Sequence, residues 1–83
     1  MREGMLWYDN SEKSVADKIE NAATHFESKY GERPDTCYVN PSMLAYEAPA
    51  VDGIEIRTTN SILPNHFWLG FGNNKPLPVP VFA

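Results

Sequence analysis

"SEKSVADKIENAATHFESKYG", residues 11–31, holds the periodicity on which the fold turns. Val15, Ile19, Ala22, Phe26 and Tyr30 recur at intervals of three and four, so they share one stripe of an α-helix. Ala16 and Ala23 widen the stripe, and Asp17, Lys18, Glu20, Glu27 and Lys29 fall mostly on the other side. Ser14, three residues before Asp17, suits an N-cap, and Ser11 suits a start one turn earlier. Gly31 stands where a left-handed C-cap is wanted, and Pro34 forbids resumption. The helix is expected from 12–15 to 30. Only one of its faces is apolar, so a second layer must cover that face.

Short β-type segments supply the layer. "MLWYD" (5–9) is apolar and aromatic. "TCYV" (36–39) places Cys37 and Val39 on one face and Tyr38 on the other. "IEIRT" (54–58) alternates, with Ile54 and Ile56 inward and Glu55 and Arg57 outward. "LPNHFWLGFG" (63–72) sets Phe67, Leu69 and Phe71 against His66, Trp68 and Gly70, which reads as a strand before it reads as a site. "NPSML" has Asn40 as N-cap and Pro41 at the first helical position, so a single helical turn is expected. Residues 45–52 form a loop, and 54–58 is expected to pair with the strand from 66 as an antiparallel pair. The predicted fold class is α+β: a three- or four-stranded sheet with one long amphipathic helix packed on one face.

Length and charge narrow the function. Eighty-three residues make one domain, taken as 1–74, followed by a Pro-rich extended arm or edge strand, 75–83. In "KPLPVPVFA" the prolines at 76, 78 and 80 remove N–H donors from one edge only. Leu77, Val79 and Val81 keep theirs on the other, and Phe82 adds apolar surface. Net charge is −4, and the seven Lys and Arg are dispersed, which counts against nucleic-acid binding. A single cysteine, the absence of a signal-peptide pattern and the absence of a membrane-length apolar run place the chain in the cytoplasm.

Tests for chemistry return little. His25, His66 and Cys37 have no metal-ligand spacing, so no metal or other cofactor is expected. Gly70 and Gly72 lack the third glycine and the following helix of a phosphate loop, and are read instead as a bend or bulge. Cys37, inside a strand beside Val39, reads as a buried hydrophobe rather than a nucleophile. What remains is a surface: Trp7, Tyr8, Tyr38, Trp68 and His66 are assigned to the sheet face away from the helix, either as a ligand or interface site or as a face that loop 45–52 and the tail cover within one chain.

"KYGERPDTCYVNPSML", "VDGIEI" and "LPNHFWLG" together resemble a family of small, uncharacterised bacterial proteins. Its pattern is a helix ending in Tyr-Gly, a Cys-Tyr-Val strand, a Gly-Ile-x-Ile strand and a Leu-Pro-x-His strand. The resemblance spans residues 5–71 and omits the Pro-rich tail. It implies no catalytic residue, because no activity is assigned to that family. The leading functional reading is a non-enzymatic protein interaction module that self-associates as a homodimer or higher oligomer, with a further protein partner open. A small-ligand binder or weak enzyme using the His66/Trp68 face with Cys37 is the alternative. A nucleic-acid accessory protein comes third.

Overall fold

The computed structural model describes residues 3–45, 48–73 and 75–80. Its order is β1 (Gly4–Tyr8), α1 (Val15–Tyr30), β2 (Thr36–Val39), a 3-10 turn (Pro41–Leu44), β3 (Glu55–Thr58) and β4 (His66–Gly70). One 16-residue helix lies against a four-stranded mixed sheet and contacts β4, so the fold is α+β. Among the described residues no helix is long and apolar enough to cross a membrane.

The helix ends follow their caps. Ser14 Oγ accepts from the Asp17 N–H at 3.1 Å, which satisfies one of the orphan donors of the first turn. Gly31 takes φ 77, where a side chain would be strained, and its N–H donates to the Glu27 carbonyl. Lys18 departs from its expected solvent-facing position and is buried. It stands three residues after Val15 and four before Ala22, a spacing that turns it to the side of the stripe.

Ile19, Ala22, Ala23 and Phe26 form the helix side of the core, and Cys37, Val39, Phe67 and Leu69 form the sheet side. Ile54 and Phe71 complete the buried cluster, with Ile56 packed against it. These are the inward positions that period two assigns to the strands.

The strand order is β1-β4-β2-β3, and here one expectation fails. Segment 54–58 does not form an antiparallel pair with β4; β3 pairs parallel with β2, Cys37 opposite Ile56. β4 instead pairs antiparallel with both β1 and β2. The cause lies in the two connections. Parallel neighbours need a crossover of roughly a dozen residues or more, and 40–54 provides one. It opens with the expected turn, where Asn40 Oδ1 accepts from the Ser42 N–H. It closes on Asp52-Gly53, where Gly53 takes φ 78 and Val51 bridges Ile54.

The connection 59–65 then passes across the end of β2 instead of folding back as a hairpin. The Thr59 N–H donates to the Val39 carbonyl at 2.9 Å, and Asn40 Nδ2 donates to the Ile62 carbonyl at 2.8 Å. β4 earns its central place by composition, since Phe67, Trp68, Leu69 and Gly70 are all buried. Gly70 is therefore a paired member of the sheet, opposite both Gly4 and Thr36, and not the expected bend.

The arm forms no ladder over 75–80. Lys75 pairs with Glu32 and stands 4.8 Å from the centroid of the Phe71 ring. Leu77 packs against the core, while Val79 is 84% exposed. Val81 and Phe82, the remaining apolar residues of the expected edge strand, lie outside the described residues.

Candidate functional site: the outer sheet face

The helix covers one face of the sheet. The strand registers define the other as three rows. Tyr8 stands beside His66. Leu6, Trp68, Tyr38 and Arg57 cross all four strands in line, and so do Gly4, Gly70, Thr36 and Glu55. The first two rows contribute aromatic and apolar surface. The third contributes two glycines, and they position the face's largest side chain.

The Trp68 indole lies over those glycines. A Cβ on Gly4 would come within 2.2 Å of Trp68 Cε2, and one on Gly70 within 2.6 Å of its Cη2. The indole is thus laid down on bare backbone, and only 7% of Trp68 is exposed. Tyr38 meets it edge to face, with centroids 5.4 Å apart and planes at 71°, the arrangement that ring quadrupoles favour. Leu6 and Tyr8 remain 58% and 57% exposed.

His66 packs against Tyr8 at 4.9 Å between centroids. Its Nδ1 lies 3.0 Å from the Pro64 carbonyl. A carbonyl only accepts, so Nδ1 is the donor in this contact. Arg57, the one cation on the face among the described residues, is bound to Glu55 through Nε at 2.6 Å.

Of the five residues assigned to this face, Tyr8, Tyr38, His66 and Trp68 are there. Trp7 is not. Neighbouring residues of a strand point to opposite sides, so Trp7 and Tyr8 cannot share a face. Trp7 turns toward the helix and stacks on His25, with centroids 4.3 Å apart and planes at 24°. Two contributors escaped sequence reasoning. Leu6 follows from period two once Trp7 is inward. The Gly4–Gly70 floor was signalled by a glycine in each of two strands beside a strand tryptophan, but only the register joins them.

Cys37 does not reach this face either. It lies on the helix side, fully buried, opposite Leu69 and Ile56. Burial pushes its thiol up to about 12 from 9.0. Sheet backbone separates it from the side chain of His66. At pH 8 the native thiolate fraction should be about a thousandfold below that of the unfolded chain. Labelling by a thiol reagent is therefore expected to be slow in the native protein and fast in denaturant. Rapid native labelling that responds to His66→Ala would contradict this placement. Among the described residues, no group of three or more His, Cys, Asp or Glu is placed to hold a metal ion.

Compared with protein-family models, curated proteins and solved structures, the chain matches none.

Proposed function

We propose that the chain is a non-enzymatic protein interaction module that associates with a second copy of itself through the outer sheet face. One observation carries this. Leu6 and Tyr8 are left largely exposed beside the Trp68–Tyr38 pair, on a face with no helix over it. Contiguous apolar and aromatic surface of this kind is costly to hydrate and typical of interface centres. The cytoplasm is the proposed compartment, in keeping with one buried free thiol and no disulfide. A planar small molecule laid against Tyr38 and Tyr8 is the second reading, favoured by the His66 ring packed beside Tyr8. Cys37 takes no part in it. Among the described residues the face offers nucleic acid a single, Glu55-bound arginine, which is little to bind.

Sedimentation equilibrium tests the proposal. The average mass of the wild type should climb above the 9.4 kDa of one chain as concentration rises. The double variant Leu6→Ser/Tyr8→Ser should remain at that mass with little change in thermal midpoint, because both side chains are exposed. A wild type that stays at one-chain mass at every concentration would overturn self-association.

A further inference from the structure

The face reading leaves open how two copies would be aligned, and the ladder geometry of β1 bears on this. The Asp9 N–H donates to the Asn65 carbonyl at 2.9 Å, and Asp9 and Asn65 continue the β1–β4 register. Antiparallel ladders alternate strictly. Asp9, Trp7 and Met5 therefore turn their backbone groups toward β4, and Tyr8, Leu6 and Gly4 turn theirs away from the sheet. Among the described residues no backbone group bonds to that outward side.

Unpaired strand edges are usually blunted by lysine, proline, a bulge or a covering segment. Among the described residues Gly4–Tyr8 contains no charge and no proline and its register with β4 is unbroken, and the Pro-rich arm touches only its start, where the Leu77 N–H donates to Glu3 Oε2 at 3.4 Å. The opposite edge of the sheet, β3, carries Glu55 and Arg57. The sheet thus has one guarded edge and one open one.

We propose that the open edge of β1 pairs antiparallel with β1 of a second copy about a two-fold axis at Leu6, making one continuous sheet across the dimer. This rests on the self-association reading but places the contact at the β1 edge, where the outer faces of the two copies lie side by side on one face of the joined sheet. The occupant must be a strand, because what is unpaired is backbone. A second copy fits because the segment is self-complementary in this register. Leu6 faces Leu6, and Tyr8 of each copy faces Gly4 of the other. Tyr8 then sits over a residue without a side chain and against the edge of the indole that covers it. An aromatic ring set across a strand from a glycine is a favourable pairing. Closure about a two-fold axis consumes the open edge on both copies, so assembly stops at two. The same register sets Glu3 opposite Asp9 of the second copy at each end. The dimer should therefore tighten as ionic strength rises and screens these like charges.

Residue-resolved amide exchange, on dilute and concentrated full-length protein, tests the pairing. Gly4, Leu6 and Tyr8 amides should exchange freely in the monomer and slow by about tenfold or more in the dimer. Leu6→Cys should be joined into a covalent dimer by a short bis-thiol-reactive crosslinker, since directly opposed bonded residues lie about 5.5 Å apart at Cα. Arg57→Cys, on the guarded edge, should not. Leu6→Pro should fold, because the N–H it removes bonds nothing in the monomer, and should lose the dimer. A dimer whose three β1 amides exchange at the monomer rate, or one that weakens with added salt, would overturn edge pairing while leaving association by the face intact. A strictly monomeric protein would overturn both.

Discussion

Phe26→Ala is expected to remove about 3–5 kcal/mol of stability. Phe26 is fully buried at the centre of the helix stripe, between Tyr30 at 4.7 Å and Phe71 at 5.8 Å by ring centroids. Truncation deletes the ring's transfer free energy and leaves a cavity. The neighbours are poorly placed to fill it, since Tyr30 is held by the helix and Phe71, just after β4, is itself buried. Domains of this size have a total stability of roughly 4–12 kcal/mol at typical values per residue. The variant should therefore be largely unfolded well below the wild-type thermal midpoint, with the urea midpoint falling in step. An unchanged midpoint would show that the helix does not pack on β4 as described.

Gly70→Ala should have the next largest effect, about 1–3 kcal/mol of destabilisation. The added Cβ meets the Trp68 ring at 2.6 and 2.9 Å and the Glu3 carbonyl oxygen at 3.1 Å. The ring must lift, because paired backbone on both sides of Gly70 holds the sheet in place. Lifting it breaks the edge contact with Tyr38 and exposes indole surface. The effect should be coupled: in a Trp68→Ala background most of the cost of Gly70→Ala should vanish. A double-mutant cycle with no coupling would mean that the indole does not rest on the glycines. Near-ultraviolet circular dichroism in a Trp7→Phe background gives an independent view of the ring.

How far the fold was legible follows from which interactions are local. Helix α1 was readable to its caps, because Ser14, Gly31 and the three-four spacing act within a turn or two of the chain. The turn at Asn40-Pro41 was readable for the same reason. Inward and outward positions in the segments of β2, β3 and β4 were also readable, since period two needs no partner. The strand order was not. Segments 54–58 and 66–70 look like a hairpin when judged by proximity alone. What prevents the hairpin is non-local, namely Thr59 and Asn40 holding the connection across the end of β2.

The candidate site divides along the same line. Tyr38, His66 and Trp68 were assigned correctly because each is a polar-side residue of an alternating strand. Trp7 was misplaced by treating an aromatic pair as a unit, against the alternation that had served elsewhere. Leu6 was passed over because an exposed leucine carries no signal until its row is known. The glycines under Trp68 were assigned to a bend because glycine in a strand has several uses. Only the register Gly4–Gly70 distinguishes clearance for a ring from a kink.

Amide chemical shifts of the wild-type protein, followed residue by residue on dilution, test most directly the claim that the outer face is where this chain meets its partner. The account predicts concentration-dependent shifts at β1 and at Tyr38, His66 and Trp68, with the solvent side of α1, including Glu20, Thr24 and Glu27, unmoved. Shifts concentrated on that helix surface, or none at any concentration, would contradict it.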